Sequence, residues 1–506
     1  MIIRSKDLSS DVNEKVDVCV IGSGAGGAVM AKELSEGGHS VVVLEEGGYF
    51  TRKDFNQKAL DMYAMMYRDF GFTVAIGMPS IPIPTGKCIG GTTTINSGTC
   101  FRVPDYILKS WQENYGLEDL TSEAMRPSFE RVEKTINVTP VGLDIIGKNA
   151  LVFKRGTEAL GFKGAPIARN AKDCRGCGVC VFGCPTDAKQ AMHLNYIPLS
   201  SQCGAKIYAN CRAERILTEQ KRVKGVEGLF LDQKTNKKTH KMKVEAKVVI
   251  LTANAFYSPA LLLRNKLANS SGQVGKNLHI HPATRVTALF DEEIEGWKGV
   301  PQSYYVDEYF EEGIMLEGIF VPPNYGSASL PSFGKQHKEL MKDYRHIAAF
   351  GVMVSDTSRG RVRIDQRGRP LITYRMNRSD TRKMAKGVAI TSEIFFAAGA
   401  KKVFPYLPGL PEISSKQEVD RIRERRPKAT DFTMMGFHPM GTCRMGKNRK
   451  KSVVNSHCES HDVTNLFICD GSIFPSSLGV NPQLSIMAFA THAANYINAN
   501  ADRYFQ

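Results

Sequence analysis

A glycine-rich turn between two apolar runs constrains this sequence more than any other feature. The run VDVCVI precedes GSGAGG at 22–27, and HSVVVL follows after a stretch with helical spacing. This pattern predicts a strand, a tight turn into a helix, and a second parallel strand. Gly22 permits the turn, Gly24 lets a phosphate approach the backbone, and Gly27 allows close helix–strand packing. The sequence therefore predicts a dinucleotide site with the pyrophosphate at the helix N-terminus.

The acid at the end of the second strand narrows the choice of dinucleotide. Glu45 follows the turn by roughly 20 residues, the usual offset of the carboxylate that binds a ribose hydroxyl. A carboxylate there would repel a 2′-phosphate, so NADP is disfavoured. The turn and the acid do not separate FAD from NAD.

Later segments carry a wider pattern. PTGKCIGGTTTINSGTCFR spans 84–102, VVILTANAFYSPALLLRNKL spans 248–267, FHPMGTCRMG spans 437–446, and NLFICDGSIFPSSLGVNPQ begins at 465. Together with the glycine turn, and in this order, they resemble the glucose–methanol–choline (GMC) oxidoreductases, a family of FAD enzymes. The resemblance covers almost the whole chain.

The resemblance implies a two-domain fold. The expected class is α/β, α+β overall, with a Rossmann-like FAD-binding domain interwoven with an antiparallel-sheet substrate domain. The FAD-binding segments are expected at 1–110, 201–285 and 431–506. The substrate-binding domain is expected at 286–430, and 111–200 is expected to be a helical excursion that carries a cysteine-rich insert.

The resemblance also implies residues that bind the cofactor. Gly90, Gly91 and Asn96 match the segment that passes close to the flavin ring. Asp470 and Gly471 match the second phosphate-contacting turn, where backbone N–H groups face negative charge.

Two residues are expected to carry the chemistry, by resemblance and by chemical need. His438 matches the catalytic histidine of the family, and Asn481 matches its partner position. Oxidising an alcohol moves a hydride from carbon to flavin N5 and a proton from oxygen to a base, which histidine supplies near neutral pH. Asparagine can donate to the developing alkoxide without titrating. The remaining histidines are expected to be structural or ordinary, including His279, His281, His193, His457, His461 and His492.

A cysteine run is the feature that the dinucleotide site does not explain. CRGCGVCVFGCP places Cys174, Cys177, Cys180 and Cys184 in the spacing of bacterial-type iron–sulfur proteins. A [4Fe–4S] or [3Fe–4S] cluster, a structural zinc, a disulfide-linked loop and free thiols all remain open. Spacing favours the cluster, zinc usually needs two separated C-x2-C pairs, and the absence of an export signal disfavours a disulfide.

Composition bears on location and partners. The first 18 residues contain no apolar core of a secretion signal, and no apolar run is long enough to span a membrane, so a cytoplasmic protein is expected. The net charge is +16, but its clusters at 421–428 and 447–451 lack interleaved aromatics, so we interpret them as solvated surface. The expected partners are a small-molecule alcohol and an electron acceptor, which is oxygen, a quinone or a redox protein. Nucleic acid is not expected, and peripheral membrane contact is compatible with the sequence.

The favoured hypothesis is an FAD-dependent alcohol dehydrogenase that passes electrons to an acceptor, with an iron–sulfur cluster as a candidate carrier of electrons from the flavin. An oxygen-reducing alcohol oxidase of the same family is the first alternative. A FAD-containing lyase or isomerase, which would leave the flavin oxidised, and a non-catalytic electron-transfer subunit are the others. The abundance of Met and Phe favours an apolar alcohol over a sugar.

Overall fold

Two sheets with separate apolar cores organise the chain, and the computed structural model describes residues 1–320, 322–327, 330 and 332–506. In chain order the strands are β1 (Ile2–Ile3), β2 (Val12–Ile21), β3 (Val41–Leu44), β4 (Val74–Ala75), β5 (Ile81–Pro82), β6 (Val138–Pro140), β7 (Gly164–Pro166), β8 (Ala168–Asn170), β9 (Lys206–Tyr208), β10 (Cys211–Glu219), β11 (Arg222–Leu231), β12 (Lys238–Leu251), β13 (Pro282–Leu289), β14 (Tyr304–Val306), β15 (Ile314–Gly318), β16 (Ile347–Val354), β17 (Arg361–Ile364), β18 (Pro370–Thr373), β19 (Lys402–Phe404), β20 (Met435–Gly436) and β21 (Leu466–Ile468). The helices are α1 (Ala25–Glu36), α2 (Ala59–Met66), α3 (Asp105–Tyr115), α4 (Ser122–Thr135), α5 (Lys148–Ala159), α6 (Tyr196–Gln202), α7 (Asn254–Asn265), α8 (Pro323–Gly326), α9 (Gly334–Lys342), α10 (Arg378–Ala397), α11 (Asp420–Arg423), α12 (Gln483–Ala499) and α13 (Ala501–Phe505).

The larger sheet has eight strands and contains the predicted strand–turn–helix–strand unit as β2, α1 and β3. Its order is β1-β9-β3-β2-β12-β11-β10, and β21 also pairs with β12. Strands β1, β9, β3, β2, β12 and β21 run parallel, whereas β10 and β11 form antiparallel pairs. Val18, Cys19 and Val20 are fully buried, as expected for a central strand covered on both faces. The predicted parallel unit is therefore confirmed.

The second sheet has seven antiparallel strands in the order β19-β13-β16-β15-β14-β7, with β20 beside β13. Helix α10 packs its apolar face on β16 and β13. Phe350 and Val352 on β16 lie in the same apolar core as Val388 on α10. The predicted antiparallel sheet is therefore confirmed.

Strand pairing departs from the expected segments in three places. Strand β7, inside the expected excursion 111–200, pairs with β14 of the second sheet. Strand β13 joins that sheet from Pro282 onward, before the expected boundary at 286. Strands β17 and β18, inside the expected substrate domain, form a separate two-stranded sheet; the Val362 N–H donates to the Gly275 carbonyl at 2.6 Å and not to a strand of the second sheet.

Within the described ranges, every helix is too short or too polar to cross a lipid bilayer.

Candidate active site

The glycine turn packs tightly against the protein at Gly22 and Gly27 but faces open space at Gly24. Gly22 has φ +99°, and a Cβ there would lie 2.6 Å from the Thr252 carbonyl oxygen. A Cβ on Gly27 would lie 2.0 Å from the Gly22 oxygen, so helix α1 packs on the turn as predicted. A Cβ on Gly24 would touch only the Cα of Gly91, at 3.9 Å. Gly24 is also the N-cap of α1 and makes no side-chain cap, so this helix end is open to a ligand.

Glu45 lies beside this turn, directly after β3. Its Oε2 accepts hydrogen bonds from the Ser23 N–H at 3.0 Å and the Ser23 hydroxyl at 2.7 Å. Its Oε1 accepts from the Gly47 N–H at 2.7 Å. Burial raises the pKa of Glu45, and these hydrogen bonds offset part of that rise. The carboxylate is thus held in a fixed position next to the N-terminus of α1.

The second glycine segment approaches the first. Gly90 and Gly91 both have positive φ, +90° and +54°, and the Gly90 N–H donates to the Ser23 hydroxyl at 3.1 Å. A Cβ on Gly91 would lie 2.9 Å from the Cα of Gly24. Asn96 donates from Nδ2 to Gln483 Oε1 at 2.7 Å, which ties this segment to helix α12.

Asp470 and Gly471 follow β21. Asp470 accepts hydrogen bonds from the Ser472 N–H at 2.8 Å and the Ser258 hydroxyl at 2.5 Å. Burial raises the pKa of Asp470, and these bonds counteract the effect. The turn is therefore fixed by groups of the protein, and the side of Gly471 remains open to a cavity.

One cavity of about 1800 Å³ joins these elements. The predicted site residues that line it are Gly22, Gly24, Glu45, Gly91, Asn96, His438, Asp470, Gly471 and Asn481. Gly27 and Gly90 are not part of the lining. Segments from five distant parts of the chain therefore share one space.

The two predicted catalytic residues meet in this cavity. Asn481 Nδ2 lies 3.3 Å from His438 Nε2, although the residues are 43 positions apart. His438 is half-buried, and both burial and the neighbouring His281 hold its pKa well below the usual range. At neutral pH the imidazole is therefore uncharged.

A third residue, His281, fixes the tautomer of His438. The Gly479 N–H donates to His281 Nε2 at 3.1 Å, so the proton of neutral His281 is on Nδ1. That nitrogen lies 3.0 Å from His438 Nδ1 and donates to it. Neutral His438 then carries its own proton on Nε2, so this nitrogen is a donor and does not accept a hydrogen bond from Asn481 Nδ2, 3.3 Å away. Burial lowers the pKa of His281 to about 4, so this arrangement holds at neutral pH.

Sequence reasoning missed Glu317, which lies on β15 and lines the same cavity. Its Oε2 accepts from Gln302 Nε2 at 2.5 Å and from Asn481 Nδ2 at 3.3 Å. Its Oε1 is buried and has no hydrogen-bond partner within the described ranges. Burial raises the pKa of Glu317 to about 7. The signal was an acid inside the apolar run IMLEG, where every residue is buried.

The cysteine run folds around a second, small cavity of about 10 Å³, lined by Cys174, Cys177, Cys180 and Cys184. Gly176, Gly178 and Gly183 all have positive φ, from +64° to +83°, and wind the loop. Among the described residues, the one group of three or more possible metal ligands within 4.8 Å of one another is Asp119, His457 and His492. The sulfurs therefore surround a space without forming a compact triad.

Two buried cations border the cysteine cavity. Arg169 donates to Cys180 Sγ at 3.3 Å and to the Ser97 carbonyl at 2.6 Å. Lys189 donates to the carbonyls of Thr94, Asn96 and Cys180, at 2.9, 2.6 and 2.9 Å. Neither cation forms an ion pair with a carboxylate in the part of the chain that the structure describes.

These contacts connect the two cavities. Lys189 bridges from the cysteine loop to the segment that carries Asn96, and Gly178 and Val181 of the loop line the large cavity. The cysteine site is thus adjacent to the site that contains His438.

Comparisons with known proteins agree on one family. Sequence models of the GMC oxidoreductases match residues 63–283 with their N-terminal part and 356–490 with their C-terminal part. The chain is 37% identical to an uncharacterised GMC-type oxidoreductase of Mycobacterium tuberculosis, over 95% of this chain and 75% of that protein. It is 32% identical to one of Sinorhizobium fredii, over 98% of this chain and 97% of that protein.

More distant relatives have named activities. A long-chain-alcohol oxidase of Arabidopsis thaliana is 28% identical, over 94% of this chain and 66% of that protein. Among solved structures, a formate oxidase of Aspergillus oryzae superposes with a TM-score of 0.75 at 16% identity, over 98% of this chain and all of that one. Pyridoxine 4-oxidase from Mesorbium loti superposes at 0.72 and 18% identity, over 95% and 98%. These two structures share the fold.

Proposed function

The chain belongs to the GMC oxidoreductase family, and from that premise we propose that it oxidises the CH–OH group of an apolar alcohol with FAD as its cofactor. The observation that carries the proposal is the meeting of His438, Asn481 and Glu317 in the cavity that also contains the glycine turn. The site offers a hydrogen-bond donor, an amide and a proton acceptor in the space where a dinucleotide would bind.

The residues of the large cavity fit FAD. The open N-terminus of α1 at Gly24 would face the pyrophosphate, and Glu45 would face the ribose. Gly91 and Asn96 would pass the isoalloxazine ring, and the turn at Asp470 would contact phosphate. Bound FAD would accept the hydride from the carbinol carbon.

The hydrogen-bond chain favours a different proton acceptor from the one that the sequence suggested. The sequence-based hypothesis gives the hydroxyl proton to His438. However, His281 donates to His438 Nδ1, so His438 Nε2 already carries a proton and acts as a donor. We therefore propose that His438 Nε2–H stabilises the developing alkoxide, and that the free Oε1 of Glu317 takes the hydroxyl proton.

Asn481 links these two groups. Its Nδ2 donates to Glu317 Oε2 at 3.3 Å and lies at the same distance from His438 Nε2, where two N–H groups face each other without a hydrogen bond. An amide in this position orients the carboxylate and can direct the substrate oxygen between acid and imidazole. We therefore assign Asn481 to positioning of the alcohol and of Glu317.

The cavity lining and the relatives support an apolar substrate. Phe320, Ile347, Met353, Phe432 and Met434 line the cavity. Besides the long-chain-alcohol oxidases, a cholesterol oxidase of Acinetobacter baumannii is among the relatives, at 24% identity. A long or polycyclic alcohol would replace water against this lining, which is the main source of affinity in such pockets.

For the cysteine loop we propose a [4Fe–4S] cluster with all four thiolates as ligands. A cluster with a doubly positive core carries two net negative charges, which Arg169 and Lys189 would balance in the buried site. Zinc fits less well, because tetrahedral bonds of about 2.3 Å hold sulfurs about 4 Å apart, and no three of the thiols are within 4.8 Å of one another. All four cysteines border one cavity, which favours four ligands over the three of [3Fe–4S]. A bound cluster would supply one-electron transfer.

An anaerobic titration tests the proposal. The purified holoenzyme is mixed with 1-decanol or with a sterol, and the flavin absorbance is followed, with iron and sulfide analysis and EPR on the same sample. Bleaching of the flavin band is expected. Iron analysis should give about four atoms per chain, the content of one [4Fe–4S] cluster. A flavin that stays oxidised while the alcohol is consumed would instead indicate a lyase or isomerase. Oxygen uptake on admission of air would indicate an oxidase.

A further inference from the structure

Exposed apolar side chains gather on one side of the molecule. Of twelve large apolar residues exposed among the described ones, six form what we call the apolar patch: Leu60, Phe70, Phe72, Ile76, Met78 and Leu371. Leu60, Phe72 and Met78 are 70–75% exposed. A soluble protein rarely leaves such a group uncovered without a binding role.

The patch borders the opening of the large cavity. Leu60, Phe70, Phe72 and Leu371 are exposed and also line the cavity, so the cavity meets solvent beside these residues. The patch is continuous across two segments, because the Ile76 N–H donates to the Ile372 carbonyl at 2.9 Å. It therefore forms a rim at the opening of the cavity.

Phe70 of the apolar patch has a backbone conformation that is energetically unfavourable for a bulky residue. Phe70 has φ +56° and ψ +29°, the left-handed region that a bulky residue avoids. The residue is 42% exposed, and its ring stacks on the Phe72 ring with the two centroids 6.3 Å apart. A strained conformation that exposes an aromatic ring indicates a function for that ring.

A basic element flanks the patch. Residues 359–378, which include the hairpin β17–β18, contain seven arginines and one acid, Asp365, which pairs with Arg369 at 2.9 Å. Arg363 lies directly opposite Leu371 in this hairpin, and both are exposed. Apolar and cationic side chains thus share one surface.

We propose that the apolar patch and the arginine hairpin dock on an anionic phospholipid bilayer, with the cavity opening toward the lipid. Apolar side chains enter the acyl boundary while arginines contact the phosphate headgroups. An acidic protein would match the arginines but would leave the apolar patch exposed. The inference rests on the proposed function in one respect, that the cavity takes an alcohol, and it adds that this alcohol enters from the membrane.

Vesicle sedimentation tests the docking without any turnover. The holoenzyme is mixed with vesicles of phosphatidylcholine alone or of phosphatidylcholine with phosphatidylglycerol, and the bound fraction is measured. Strong binding is expected to the anionic vesicles, weakening with added salt. The triple variant Leu60→Ser, Phe72→Ser, Met78→Ser should lower the partition coefficient on the order of 100-fold. The matched control changes Leu143 and Leu151, exposed leucines outside the patch, to Ser.

A second pair of variants tests the charge. Replacing Arg363 and Arg367 with Ser should weaken binding to anionic vesicles by roughly fivefold for each arginine. The control replaces Lys450 and Lys451, two lysines outside the patch, with Ser and should leave binding unchanged. Flavin content and Tm confirm that each variant is folded.

Three results would overturn the inference: no binding of the wild type to anionic vesicles, equal losses in the control variants, or a dimer that dissociates in the triple variant. The last would assign the patch to a second copy of the chain. If vesicles bind and free alcohol bleaches the flavin but embedded alcohol does not, the docking stands and entry from the membrane fails. If neither alcohol bleaches the flavin, the docking stands and the proposed function fails.

Discussion

Replacing Glu317 with Gln should make the protein less sensitive to pH and should slow the proposed reaction. Burial raises the pKa of Glu317 from 4.5 to about 7, so its protonated form is favoured by folding. Stability from this group is complete below pH 4.5 and is lost as pH rises toward 7, because the unfolded chain ionises first. The rise in pKa corresponds to about 3 kcal/mol between pH 5 and pH 8.5. Gln keeps the shape of the side chain and the hydrogen bond from Asn481, without the free-energy cost of burying an ionised carboxylate.

The assay compares the Tm of wild type and Glu317→Gln from pH 5 to pH 8.5. For a chain of 506 residues, a difference of about 3 kcal/mol corresponds to roughly 3 °C, so the variant should gain that much relative to wild type at the alkaline end. In turnover, kcat/KM should fall roughly 100- to 10,000-fold, and the apparent pKa near 7 should disappear from the pH profile.

Two results would refute this reasoning. Parallel Tm curves would show that Glu317 does not titrate near pH 7. A variant with wild-type kcat/KM and an unchanged pH profile would show that Glu317 is not the proton acceptor, and His438 would again be assigned that role. Gln302→Glu is not a suitable control because it adds a charge, whereas Gln302→Leu removes one hydrogen bond to Glu317 and should raise the apparent pKa.

Three further predictions use other parts of the site. Gly24→Ala should leave the Tm of the apoprotein unchanged, because the new Cβ touches only a Cα at 3.9 Å, yet should weaken FAD binding; Gly27→Ala should destabilise the fold itself, and flavin release during dialysis measures the difference. Asn481→Ala should lower kcat by roughly 100-fold or more with little change in KM, measured by steady-state kinetics, and an equal rise in KM would indicate a role in binding alone. Lys189→Met should lower iron and sulfide per chain, because one of two balancing cations is lost, whereas an unchanged metal content would exclude a role of Lys189 in holding the cluster.

The glycine turn was predictable because its requirements are local. Gly22 needs a positive φ and Gly27 needs a missing Cβ, and both follow from the joining of one strand to one helix. The antiparallel sheet of the substrate domain was expected from the resemblance, and the structure supplies its strand order. Strand partners were harder to predict from the sequence. For example, β7 pairs with β14, which lies far away along the chain.

The candidate site was predictable only in part. His438 and Asn481 were expected from the resemblance, and the structure adds the 3.3 Å between them. Glu317 stands out in the sequence as an acid inside an apolar run, but its role depends on the groups opposite it, which only the structure shows. A structural role was expected for His281. Its effect on His438 depends on its tautomer, which is set by the Gly479 N–H from a distant segment of the chain.

The sequence by itself determined the glycine turn and the spacing of four cysteines, since these depend on neighbours within a few residues, and it carried the segments by which the family was expected. The tertiary structure decided which side chains share a cavity, which nitrogen of His438 carries the proton and where the pKa of Glu317 lies. Those properties depend on burial and on contacts between distant segments, which no local pattern encodes.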